Sequence, residues 1–121
     1  MVSHQRGLGI NYWITTGNEA DLSVSEAIQF LAEDEKVHTI MAYVESVKDG
    51  KKFVKALDTA RQEKKPIILM KVGRSEVGAA AANSHTASLA GEDAIYSEVI
   101  RAHGAYTVSY THLTLPTRRF V

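Results

Sequence analysis

Cysteine is absent from the 121 residues, which excludes disulfides, thiolate nucleophiles and cysteine-based metal sites together, though it does not fix the compartment. No apolar run approaches the roughly 20 residues that cross a bilayer, and the first residues lack the basic start and apolar stretch of a secretory signal. A soluble, cytoplasmic chain with no membrane partner is therefore expected. Charge of one sign is not in excess either: 14 basic residues face 14 acidic ones, leaving no net field to draw the chain to nucleic acid or an anionic surface. Nucleic acid is not an expected partner. Chemistry must rest on histidine, carboxylates or hydroxyls.

What is present is a hydrophobic fraction of 45%, enough for one globular domain in a chain too short for two. A β-branched and aromatic run from Ile10 to Thr16, ended by Gly17-Asn18, predicts a first strand. Ser23 with Glu26 forms a capping-box pattern, and Val24, Ala27, Ile28 and Leu31 then share one face of a helix from about Ser23 to Asp34. His38 to Val44 is a short, mostly apolar run of the kind a strand covered on both sides shows, and it delivers Glu45 at its carboxyl end. Asp49 can cap a helix burying Phe53, Ala56, Leu57 and Ala60, with Lys64 and Lys65 near the negative end of its dipole and Pro66 as its stop. Ile67 to Val72 is the clearest strand, followed by Gly73-Arg74-Ser75 and an alanine-rich helix around Glu76 to Ala82. After a polar loop over Asn83 to Gly91, Glu92 to His103 reads as a helix with Ile95, Val99 and Ala102 inward. Gly104 ends it, and Ala105-Tyr106-Thr107 begins a last strand.

Strands beginning at Ile10, His38 and Pro66 with a helix between each pair have the rhythm of βαβ units on a parallel sheet, which makes the fold class α/β. Ligands of such sheets bind outside the carboxyl ends of the strands. Here those ends are Thr16-Gly17-Asn18, Glu45, Lys71 to Ser75 and the loop feeding the last helix. In that loop His85 stands in Ser84-His85-Thr86-Ala87, where an imidazole flanked by hydroxyls and small residues can approach an anion; the plain alternative is a loop histidine bonded only to backbone. Glu45 can orient an imidazole and stabilise its cation, or be a solvated loop acid. Gly17-Asn18-Glu19 and Gly73-Arg74-Ser75 can present backbone N–H groups to an anion, or simply turn the chain. The lysines Lys48, Lys51, Lys52 and Lys55 read as a solvated helix face and receive no function. His4, His38 and His103 lack paired metal-ligand spacing, so no metal is expected to be held by this chain alone.

Ile-Thr-Thr-Gly-Asn-Glu-Ala-Asp-Leu (14–22), Tyr-Val-Glu-Ser-Val-Lys-Asp-Gly-Lys-Lys-Phe (43–53), Lys-Pro-Ile-Ile-Leu-Met-Lys-Val-Gly-Arg-Ser (65–75) and Ser-His-Thr-Ala-Ser-Leu-Ala-Gly (84–91) together resemble one family, the ADP-forming acetyl-CoA synthetases, relatives of succinyl-CoA synthetase. The resemblance runs from about Gly7 to Thr107 and covers the flavodoxin-like, succinyl-CoA-ligase-like domain, a three-layer parallel sheet. It implies that His85 carries phosphate between an acyl phosphate and ADP and that Glu45 holds the phospho-imidazole. Ser84, Thr86, Gly17, Asn18, Gly73 and Ser75 would support the phosphate or its loops. It also implies that the complete enzyme uses ATP or ADP with magnesium, CoA and a small carboxylic acid, with a CoA-binding domain and an ATP-grasp domain or subunit as partners. No cofactor is expected on this chain alone. Neutral imidazole is nucleophilic near pH 7, and a carboxylate on its far nitrogen offsets the charge that develops on attack.

Ala87 and Ser46 stand where the family usually has glycine, a departure that costs on the order of 1 kcal/mol where φ is positive and little where it is negative. The resemblance implies a family domain that begins with a strand and most of a helix, both expected to be missing here, and the neighbours of that central strand are expected to expose ladder groups and apolar faces. Val108 to Val121 resembles a translated sequencing adaptor and is expected to be a non-native tail after a partial domain over residues 1–107. Two other functions stay open: a regulatory, non-catalytic ligase-like domain of a lysine acetyltransferase, and a fragment with no independent activity.

Overall fold

A computed structural model describes residues 5–71 and 96–108. Its elements, in chain order, are α1 (Val24–Glu33), β1 (Ile40–Val44), α2 (Gly50–Gln62), β2 (Ile67–Lys71) and β3 (Tyr106–Val108), and residues 96–102 are also helical. The three strands form one parallel sheet in the order β1-β2-β3, with Ile40 opposite Ile67, Val44 opposite Lys71 and Ile68 opposite Tyr106. The α/β class is as expected.

Local chemistry sets the ends of the helices. Ser23 holds an extended backbone and its hydroxyl accepts from the N–H of Glu26, while the Glu26 carboxylate accepts from the N–H of Ser23 at 3.0 Å. This reciprocal box satisfies two donors that the first turn would otherwise leave open. The Ser23 backbone N–H is the main influence holding the Glu26 carboxyl below its ordinary value, with the Ser23 hydroxyl and Lys52 adding to it. Asp49 caps α2 by accepting from the N–H of Lys52. At the other end of α2, Lys64 turns left-handed at φ 55 and the N–H of Lys65 reaches back to the carbonyl of Ala60 at 2.8 Å; Pro66 then prevents further helix. The ammonium of Lys65 serves α1 rather than α2. It donates to the carbonyls of Ala32 and Asp34, each at 2.6 Å, and so ties the end of α1 to the entry of β2.

The core lies on one face of the sheet, where Ile40, Val44, Ile67 and Leu69 meet Val24, Ile28 and Ala32 of α1, Phe53, Ala56, Leu57 and Ala60 of α2, and Ile100. The helix at 96–102 is turned from its expected face: Ile100 is buried, Tyr96 packs on Phe53, and Ala102 is exposed. A Tyr96–Ile100 pair, four residues apart and therefore stacked on one side of a helix, presents more apolar surface to α2 than Ala102 can.

The expected strand at Ile10–Thr16 does not form. These residues make no sheet ladder, because high β-propensity yields a strand only where a neighbouring edge offers hydrogen bonds. The run is held by side chains instead. Asn11 Nδ2 donates to the Lys36 carbonyl at 2.6 Å, the Tyr12 hydroxyl donates to the Asp34 carboxylate, and the Tyr12 ring meets Phe30 edge-on at 5.6 Å. The hydrogen bond raises the Tyr12 hydroxyl above its ordinary pKa; from the other side, with help from the Lys36 N–H, it lowers that of Asp34. The last strand is Tyr106–Val108 rather than starting at Ala105. The alanine-rich helix expected around Glu76 to Ala82 lies outside the described residues, and among the described residues no helix covers the face of β1 turned away from the core, where Met41 and Tyr43 are exposed.

Candidate functional site

Residues 12–19 and 40–48 border a groove of about 670 Å³, floored by Val24, Ala27, Ile28 and Leu31 of α1. Its carboxyl-end mouth is polar, carrying Thr16, Gly17, Asn18, Glu19, Glu45, Ser46 and Lys48. The rule that parallel sheets bind ligands beyond the carboxyl ends of their strands picks out this same mouth.

The loop on one side is shaped by two left-handed residues, Gly17 at φ 57 and Glu19 at φ 57. Glycine adopts that conformation freely; Glu19 does so with support from its surroundings. Its N–H donates to the Thr16 carbonyl at 3.0 Å, and its Oε1 accepts from the N–H of Val24 at 3.2 Å, satisfying a free donor at the start of α1. The other oxygen, Oε2, is shielded from solvent without a hydrogen-bond partner. Asn18 closes a short side-chain turn by accepting from the N–H of Ala20.

On the other side, Glu45 directly follows β1 and is exposed, as is Ser46. Among the described residues the left-handed non-glycine positions are Glu19 and Lys64, so Ser46 sits there without backbone strain. Lys48 joins the two loops: its ammonium donates to the Asn18 carbonyl at 2.6 Å. Sequence reading placed Lys48 on a solvated helix face, but it precedes α2 and spans the groove mouth. The missed signal was its position three residues after Glu45, in the loop rather than the helix. Lys71, at the carboxyl end of β2, lies with its ammonium 4.9 Å from the centre of the Tyr96 ring, a cation–π contact.

Glu45, Gly17 and Asn18 thus line one groove mouth. Gly73, Ser75, Ser84, His85 and Thr86, like Ala87, lie outside the described residues. His38 is exposed, and His103 Nδ1 lies 2.5 Å from Asp58 Oδ1, a pairing the sequence did not suggest. Among the described residues no group of three His, Cys, Asp or Glu side chains could hold a metal, and no helix is long and apolar enough to cross a membrane.

The fold and the groove define a parallel α/β domain whose binding end is the carboxyl edge of its sheet. A family model, the succinyl-CoA ligase like flavodoxin domain, matches residues 2–117, and the chain belongs to that family. It is 42% identical over 104 residues to the alpha subunit of acetate–CoA ligase (ADP-forming) I of Pyrococcus furiosus, covering 84% of this chain and 22% of that one. It is 41% identical over 119 residues to an ADP-forming acetate–CoA ligase of Methanocaldococcus jannaschii, covering 91% and 17%. Among solved structures, the apo form of the dinucleotide forming acetyl-coenzyme A synthetase 1 of Ca. Korarchaeum cryptofilum superposes with a TM-score of 0.70 at 32% identity, over 88% of this chain and 23% of that one. The chain therefore spans about a fifth of the length of these relatives.

Proposed function

We propose that this chain is the phosphate-carrying domain of an ADP-forming acyl-CoA ligase, with His85 as the carrier and Glu45 as the carboxylate that orients it. The whole enzyme would convert acyl-CoA, phosphate and ADP to the free acid, CoA and ATP, reversibly. The observation that carries this reading is the likeness to ADP-forming acetate–CoA ligases at 42% and 41% identity. The position of Glu45 on the groove mouth beside the Gly17-Asn18 loop supports it. In the transfer, an imidazole nitrogen of His85 attacks the phosphorus of the acyl phosphate, the carboxylate leaves, and the phosphoramidate then passes its phosphoryl group to ADP. Glu45 accepts from the opposite ring N–H and offsets the positive charge that forms. Backbone N–H groups near Gly17 and Asn18, with Ser84, Thr86, Gly73 and Ser75, would cradle the phosphate. ATP or ADP, magnesium and CoA are used by the complete cytoplasmic ligase, on its CoA-binding and ATP-grasp parts. No step assigned to this chain runs through the metal.

Residues 1–107 form this domain's share of the chain and 108–121 a non-native tail. Two observations stand against a boundary at that point: Val108 closes β3 opposite Met70, and the family match reaches residue 117. Sequencing the source DNA across codon 108 tests this, and a coding frame that continues the family pattern would refute it.

The functional test grafts residues 7–107 into the Pyrococcus furiosus alpha subunit in place of its matching stretch and supplies labelled ATP with the partner subunit. Label stable to base and labile to acid is expected, lost in His85→Ala and slowed at least tenfold in Glu45→Gln. Undiminished label in His85→Ala would overturn the assignment.

A further inference from the structure

Lys48 crosses the groove mouth between two supports that the local sequence fixes. On its own side, Val44 ends β1 in the core, Val47 packs against that core, and Asp49 caps α2 through the N–H of Lys52. The backbone of Lys48 is thus pinned by a packed residue before it and a capping residue after it. Its side chain reaches the other loop, where the ammonium donates to the Asn18 carbonyl at 2.6 Å. A charge-assisted bond of this kind is shorter and stronger than a neutral one.

That carbonyl belongs to a peptide whose other end is also held. The N–H of the same peptide, carried by Glu19, donates to the Thr16 carbonyl at 3.0 Å. Because a trans peptide is planar, its C=O and N–H point in opposite directions, and bonds at both ends fix the orientation of the plane. The conformation at stake is a costly one: Gly17 and Glu19 are both left-handed, which L-residues rarely adopt. The remaining bonds, from the N–H of Ala20 to Asn18 Oδ1 and from the N–H of Val24 to Glu19 Oε1, stay within the loop and its own helix. Among the described residues, the hydrogen bond that joins residues 12–19 to residues 40–48 is the one from Lys48. It is also the one cation among the residues that line the groove, where Glu19 and Glu45 are the carboxylates.

We propose that Lys48 is a positioning residue for phosphoryl transfer. By tying the Asn18 carbonyl to the Glu45 loop, it sets the separation between the backbone N–H groups near Gly17 and the carboxylate of Glu45, so that both meet one phosphoryl group. This rests on the assignment of Glu45 and the Gly17–Asn18 loop to the phosphate site. Lys48 holds the frame and takes no part in bond making. A misplacement of about 1 Å at a transfer site costs on the order of a hundredfold in rate, so loss of the strap is read in rate rather than in nucleotide binding.

The strap is read directly in the 121-residue chain. The Lys48 ammonium protons should give a resolved NMR signal with cross-peaks to residues 17–19. Amide exchange at Glu19 should speed at least tenfold in Lys48→Met, with exchange at Lys65 unchanged. An ammonium without contact to residues 17–19, or unaltered exchange at Glu19, would overturn the proposal. In the grafted ligase, Lys48→Met should slow labelling of His85 at least tenfold at saturating ATP while half-saturating ATP stays the same. Lys48→Arg, whose guanidinium can also donate to a carbonyl, should restore most of the rate. Lys51→Met removes the same charge from an exposed position and should label as the parent does. Parental labelling in Lys48→Met, no recovery in Lys48→Arg, or an equal loss in Lys51→Met would each count against the strap. Failure of the phosphate reading looks different: label then persists in His85→Ala while the Lys48 ammonium still contacts residues 17–19.

Discussion

Replacing Gly17 by alanine isolates backbone conformation from crowding at the groove mouth. Gly17 holds φ 57, and a Cβ built there meets no atom within 4 Å, so no clash contributes. An L-residue in the left-handed region costs roughly 1–2 kcal/mol. Alanine also restricts the unfolded chain, which offsets about 0.4–1 kcal/mol of that. The net destabilisation is about 1 kcal/mol, or roughly a fivefold fall in the folded-to-unfolded ratio. Asparagine tolerates the same conformation better, so Gly17→Asn should cost distinctly less although its side chain is larger. Urea titrations followed by circular dichroism, with unchanged m values, measure both. A neutral Gly17→Ala, or a Gly17→Asn as costly as Gly17→Ala, would refute the reasoning. Gly104 makes a contrast: at φ 79 an added Cβ also meets Arg61 Cδ at 3.4 Å, so its alanine variant should cost more than that of Gly17.

Further outcomes follow from the same geometry. Leu57→Ala, at a side chain 1% exposed in the centre of the core, should cost about 2–5 kcal/mol in the same titration. Ser23→Ala removes the capping box and should cost about 1 kcal/mol, with Ser23→Gly milder. The Asp34 carboxyl is lowered chiefly by the Tyr12 hydroxyl, so this group contributes stability above its unfolded pKa of about 3.9, lost as pH falls through the lower folded value. The Tyr12 hydroxyl is raised by the same bond, so its contribution is present below about pH 10 and lost as pH rises through the higher folded value. Tyr12→Phe should move the Asp34 carboxyl back toward its ordinary value in an NMR titration; an unmoved Asp34 would show that the bond does not form in solution.

How far the sequence revealed the structure depended on whether the cause was local. The Ser23–Glu26 box, the Asp49 cap and the Phe53, Ala56, Leu57, Ala60 stripe all act within one helix, and each stood at the expected residues. The Ile10–Thr16 run misled because strand formation depends on a neighbour that no local pattern reports. The rotation of residues 96–102 has a similar origin, since the face a helix buries is chosen by what it packs against, here Phe53. At the candidate site, Glu45 was legible as the residue delivered by an apolar strand. Lys48 was not, because its partner is a backbone carbonyl thirty positions away, and neither was the His103–Asp58 pair across 45 positions.

The central claim is that phosphate travels on the imidazole at position 85. The most direct measurement is to phosphorylate the grafted ligase, digest it at alkaline pH and map the modified peptide by mass spectrometry. The account predicts one phosphate, on the peptide containing His85 and on that residue. A ligase that still makes acyl-CoA while position 85 stays unmodified, or whose phosphate maps to another residue, would contradict it.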